Sequence, residues 1–100
     1  MLLRYLVIYD ITDDNLRTKV SETLKDYGLD HIQYSAFLGT LKRNVLNSLI
    51  TDLRKLIGNL EGNVQIYPLC EVCFRGKKII GKPKRYDIED KAKKSKVAYF

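Results

Sequence analysis

The chain has 100 residues, 45% of them apolar, and a formal net charge of +6. That length makes one domain with one core and leaves no room for a second module. No apolar run is long enough to cross a bilayer and no cleavable leader is visible, so membrane insertion and export lack support and a cytoplasmic protein is expected. The charge is uneven: residues 1–74 hold 8 basic and 9 acidic side chains, whereas residues 75–100 hold 10 and 3. A basic C-terminal quarter fits a polyanionic partner, nucleic acid before membrane, and equally fits a solvated tail.

The first predicted element is a strand, Leu2 to Asp10, with Leu3, Tyr5, Val7 and Tyr9 on one face and Leu2, Leu6 and Ile8 dominating the other. A strand apolar on both faces belongs inside a sheet. Asp10 ends it where the chain must leave the sheet, a place where open α/β sheets put their chemistry. Read from the residues alone, such an acid is also a common turn or capping residue.

A helix is predicted next: Thr12 or Asp13 caps it, Leu16, Val20, Leu24 and Tyr27 form its apolar stripe, and Gly28 stops it. Its polar side carries Arg17, Lys19 and Lys25, the first two expected nearest Asp10. His31 to Leu41 alternates but is long for one strand, so it is expected to kink or split near Gln33-Tyr34. A second helix, capped by Asn44, presents Leu46, Leu49, Ile50, Leu53, Leu56 and Ile57 before Gly58.

Asn63 to Phe74 reads as another strand, bent or left at an edge by Pro68, followed by a basic turn at Arg75-Gly76-Lys77-Lys78 and a short strand at Ile79-Ile80. Cys70 and Cys73 have metal or redox spacing, but in a strand they point to opposite faces, so they read as packed thiols. A redox pair is instead expected to open a helix. No core pattern reappears until Val97-Ala98-Tyr99-Phe100. These elements give an α+β domain over residues 1–81 and a basic segment over 82–100. Two helices cover one face of the sheet, so the other face calls for a cover, most simply a second copy related by a two-fold axis, with the C-terminal segment packing on the partner protomer.

Tyr9-Asp10-Ile11, Lys25-Asp26-Tyr27-Gly28-Leu29, Gln33-Tyr34-Ser35-Ala36-Phe37 and Tyr67-Pro68-Leu69-Cys70, in this order and spacing, resemble the small CRISPR-associated adaptation family, the second of the core Cas proteins. The resemblance runs to about residue 80. It implies a ferredoxin-like βαββαβ fold, an antiparallel sheet with two helices on one face, homodimers through the sheets, and spacer acquisition beside the family's integrase. It also implies metal-dependent endonuclease activity on RNA or double-stranded DNA. By this resemblance Asp10 holds Mg²⁺, with Mn²⁺ as a substitute, and Tyr9, Arg17 and Phe37 match other positions tied to activity. Lys19 and His31 stand where some relatives carry arginine, which forgoes a bidentate phosphate grip at both positions.

Two copies of Asp10 across a dimer axis would supply the carboxylate pair that Mg²⁺ commonly uses. Arg17 and Lys19 then meet phosphate, and Phe37 either stacks on a base or packs. Lys77, Lys78, Lys82, Lys84 and Arg85 are the predicted phosphate contacts of the basic region. Three functions are compatible with these features: a dimeric Mg²⁺-dependent endonuclease, a non-catalytic DNA-binding scaffold for the integrase, and a toxin-like ribonuclease.

Overall fold

The computed structural model describes residues 2–82. Lys84, Arg85 and the remainder of the basic segment assigned to the partner protomer lie outside the described residues. Strands β1 (Leu2–Asp10), β2 (Asp30–Gln33), β3 (Ala36–Lys42) and β4 (Asn63–Leu69) alternate with helices α1 (Asp14–Asp26) and α2 (Arg43–Ile57), and a short helix α3 (Glu71–Arg75) follows. The sheet order is β2-β3-β1-β4, with all three pairings antiparallel, which is the ferredoxin-like arrangement. The doubly apolar β1 is therefore a central strand. β4 is an edge, which is where Pro68 is tolerated because its missing N–H costs no ladder bond.

Alternation along β1 sorts the two faces. Tyr5, Val7 and Tyr9 are buried against the helices, joined by Phe37 and Leu41 from β3, Leu16, Val20 and Leu24 from α1, and Leu49 and Leu53 from α2. Each such side chain contributes about 1.5–3 kcal/mol by leaving water. No polar or charged residue is buried among the described residues. Arg4, Leu6, Ile8 and Asp10 point to the opposite, open face.

Asp13 is the residue that caps α1, accepting from the Leu16 N–H at 2.8 Å. The split in the second strand falls where expected, but as a hairpin: β2 ends at Gln33, β3 starts at Ala36, and a register shift lies between His31 and Gln33. On β3, Gly39 packs closely against the residue preceding β2: a Cβ there would lie 2.5 Å from Leu29 Cδ2 and 3.2 Å from Leu29 Cα, so the Leu29 side chain would have to shift.

Four expectations need correction. Asn44 is not the cap of α2; the helix starts at Arg43, directly from β3, and its N-cap Lys42 makes no side-chain capping bond. The last long strand stops at Leu69, and Glu71–Arg75 turns into α3. Cys70 and Cys73 consequently sit in the first turn of a helix, and both are exposed rather than packed. Ile79 and Ile80 form no strand, and Ile80 is 95% exposed.

The second cover for the sheet is also partly internal. Arg4 on the open face bonds Glu71 at 2.9 Å and lies 3.7 Å from the Phe74 ring centre, so α3 is seated over one end of β1. Lys77, Lys78, Ile79, Ile80 and Lys82 line a cavity of about 230 Å³ with Ile32 and Leu38 of the hairpin. Leu6 and Ile8 remain half-buried beside the exposed Tyr67.

Candidate functional site

The sequence-predicted residues separate onto two sides of the sheet. Tyr9, Arg17 and His31 line one open cavity of about 360 Å³ between α1 and the β2–β3 turn, together with Ser21, Lys25 and Tyr34. Asp10, next in sequence to Tyr9, points the other way and is exposed. Lys19 is exposed on another side of α1, two positions and about 200° from Arg17. Arg17 and Lys19 thus do not stand beside the Asp10 carboxylate, contrary to expectation.

Tyr34 organises the helix-side cluster. Its carbonyl accepts from the Tyr9 hydroxyl at 3.3 Å and lies 3.1 Å from His31 Nε2, a contact that requires the proton on Nε2. Burial pushes the Tyr9 phenol above its ordinary pKa, so it stays a neutral donor. The His31 ring stacks on Phe37, with centres 4.3 Å apart and planes 4° from parallel. Phe37 itself is fully buried, so of its two predicted roles it packs and offers no face to a base.

Arg17 links this cluster to the Asp10 side. Its guanidinium donates to the Ile11 carbonyl at 3.0 Å and the Thr12 carbonyl at 3.4 Å, pairs with Asp14, and sits 5.6 Å from the Tyr34 ring centre. The Asp14 hydrogen bond also raises the Arg17 pKa, fixing its charge. From the other side Gly62 closes on the same backbone. At φ +132° a Cβ there would lie 3.1 Å from the Asp10 carbonyl oxygen and from Ile11 Cγ1. The chain leaving Asp10 is thereby held between Arg17 and Gly62.

On the open face Asp10 pairs in register with Asn63. Along β4 the Tyr67 hydroxyl donates to Gln65 Oε1, and Gln65 Nε2 donates to Asn63 Oδ1 at 3.1 Å. This polar row beside Asp10 was missed by sequence reasoning. Its signal was present, since Asn63, Gln65 and Tyr67 alternate with Val64 and Ile66. Among the described residues no group of three or more His, Cys, Asp or Glu side chains is placed to hold a metal ion. One chain therefore offers a single carboxylate with amide oxygens nearby: hard oxygen donors of the type Mg²⁺ prefers, but half of the usual carboxylate pair.

In the basic region, Lys77 Nζ lies 3.8 Å from the Phe74 ring centre and Lys78 Nζ donates to the Gly76 carbonyl at 3.1 Å. With exposed Lys82, these amines continue from α3 along the open-face side of the sheet.

A ferredoxin-like domain with a lone acid closing its central strand and lysines trailing from its edge defines a class of small α+β proteins. The family model described as CRISPR associated protein Cas2 matches residues 1–77, and the chain belongs to that family. It is 45% identical over 78 residues to a protein named CRISPR-associated endoribonuclease Cas2 from Desulforudis audaxviator, covering 78% of this chain and 74% of that one. A crystal structure of a Cas2 superposes with a TM-score of 0.71 at 26% identity, covering 84% of this chain and 92% of the other. A chain in a partial Cas6-RT-Cas1–Cas2 complex gives a TM-score of 0.69 at 26% identity, over 78% and 84% of the two chains.

Proposed function

We propose that two copies of this chain join through the open faces of their sheets to form a Mg²⁺-dependent endonuclease that hydrolyses phosphodiester bonds in RNA or double-stranded DNA during CRISPR spacer acquisition. The observation that carries this reading is Asp10: an exposed carboxylate ending a strand whose open-face neighbours, Leu6 and Ile8, are apolar and half-buried. Pairing those faces removes the apolar surface from water and brings a second Asp10 toward the first.

Asp10 from each copy would hold the cation, with Mn²⁺ as a substitute, and Asn63 stands in register beside it, its amide oxygen already accepting from Gln65. When bound, the ion supplies charge neutralisation at phosphorus and lowers the pKa of water. The chain's own residues do the rest. Arg17 fixes the Asp10–Thr12 backbone, while Tyr9, His31 and Phe37 fix the Tyr34 turn against which Arg17 rests. These act as positioning residues rather than as groups that touch substrate. Lys77, Lys78 and Lys82, with Lys84 and Arg85, meet the phosphate backbone, and exposed Lys19 is available for a further phosphate contact.

Asp10→Asn tests the enzyme reading, because it keeps the shape and removes the charge. Hydrolysis of RNA or duplex DNA with Mg²⁺ is expected to fall by about 100-fold or more. Unchanged cleavage would contradict the proposal.

A second reading, a dimeric DNA-holding scaffold for the CRISPR integrase, is favoured by the opposite facing of Asp10 and the Arg17–His31 cluster on the sheet. Similarity to the Cas2-like chain of the Cas1-containing complex supports the integrase as partner in both readings. If Asp10→Asn retains integrase-dependent spacer insertion and the wild-type protein cuts nothing with Mg²⁺ or Mn²⁺, the scaffold reading holds.

A further inference from the structure

Cys70 and Cys73 take no part in the functions above, yet their arrangement is chemically specific. Cys70 is the N-cap of α3, with extended backbone angles (φ −72°, ψ 162°), and Cys73 lies one turn along. The Cys73 N–H donates to Cys70 Sγ at 3.3 Å, folding the first side chain back over the turn that carries the second. Both residues are exposed. The partner sulfur one turn away, not the end of so short a helix, makes this a reactive pair.

We propose that Cys70 and Cys73 form a reversible dithiol–disulfide pair, in which Cys70 is the sulfur that attacks an incoming small-molecule disulfide. The asymmetry follows from the hydrogen bonds. The Cys73 backbone N–H and then the Cys73 thiol lower the Cys70 pKa, while donating to Cys70 raises that of Cys73. Cys70 therefore carries the larger thiolate fraction, which is the nucleophilic form.

In the first step the Cys70 thiolate bonds to one sulfur of the small disulfide, whose S–S bond breaks and releases one thiolate. In the second step Cys73 gives up its proton and bonds to Cys70 Sγ, displacing the other small thiolate. The protein loses two electrons and two protons, and the small disulfide leaves as two thiols. The bond closes the turn that presents Glu71 and Phe74 to Arg4, so it ties the open-face seat of α3 to the thiol state of the surroundings.

The test equilibrates the full chain with graded ratios of glutathione and glutathione disulfide, quenches in acid, alkylates free thiols and measures intact mass. The expected result is a single-chain species that is lighter by two hydrogens, carries no alkyl group and is restored by dithiothreitol. Cys73→Ser should stall as a glutathione adduct on Cys70, and Cys70→Ser should react at least about tenfold more slowly. If wild-type protein yields only glutathione adducts or cross-linked dimers, or if the two variants react at equal rates, the proposal is overturned.

Discussion

The Arg17 guanidinium donates to the Ile11 carbonyl at 3.0 Å, one residue beyond Asp10, from the opposite side of the sheet. The bond joins two clusters whose side chains never meet and gives Arg17 a structural reason to matter for an acid it does not touch. Arg17→Ala should free the backbone after Asp10, and a displacement of about 1 Å there is enough to lower turnover by up to about 100-fold. Because the effect is on position, KM for RNA or duplex DNA should change much less than kcat. Arg17→Lys should recover only part of the loss, because a single ammonium cannot match the guanidinium's planar set of donors. Steady-state cleavage by the three proteins tests this, and a change confined to KM would assign Arg17 to phosphate binding instead.

Phe37 should behave as core. It is fully buried under the His31 ring. Phe37→Ala is expected to cost about 3–5 kcal/mol in urea unfolding, with little change in the denaturant slope. Removing the other ring of the stack with His31→Ala should cost less, about 0.5–1.5 kcal/mol for the aromatic pairing. Equal stability of wild type and Phe37→Ala would show that the ring is not part of the packing.

The elements that were legible in the sequence have redundant local signals. Helix α1 carries a cap, an apolar stripe and a glycine stop together, and β1 shows unbroken alternation up to Asp10. The Cys70–Arg75 turn does not. Over five residues Val72 and Phe74 satisfy a period of two as readily as a helical turn does, and no proline or glycine separates them from β4. Asn44 misled because β3 runs directly into α2 and leaves no loop to cap. For the site, the opposite facing of Tyr9 and Asp10 was written in the strand's period. The place of Arg17 was not, because the twist of α1 relative to β1 depends on how Leu16, Val20 and Leu24 pack.

The seat of α3 should respond to acid. Hydrogen bonding from Arg4, with smaller help from Arg75, holds the Glu71 carboxyl below its usual pKa. A depressed folded-state pKa stabilises the docked form above the ordinary glutamate value of about 4.3, and that contribution fades as pH falls through the lower folded value. Amide hydrogen exchange across Glu71–Arg75 should therefore accelerate below that range, relative to β1. In Glu71→Gln this acid-dependent step should vanish, and its persistence would place the responsible group elsewhere.

The lysines after α3 should set the salt dependence of nucleic-acid binding. Replacing Lys77, Lys78 and Lys82 with glutamine is expected to weaken duplex binding for all sequences alike. The log–log slope of affinity against salt should flatten by roughly 0.9 for each phosphate that is no longer neutralised. An unchanged slope, measured by fluorescence anisotropy, would make these residues bystanders.

If two chains share one cation through their Asp10 carboxylates, the stoichiometry of Mn²⁺ binding, measured by calorimetry on the intact protein, reveals it most directly. One tightly bound ion for every two chains, abolished in Asp10→Asn, is the predicted result. One ion for each chain, or binding that survives Asp10→Asn, would contradict it.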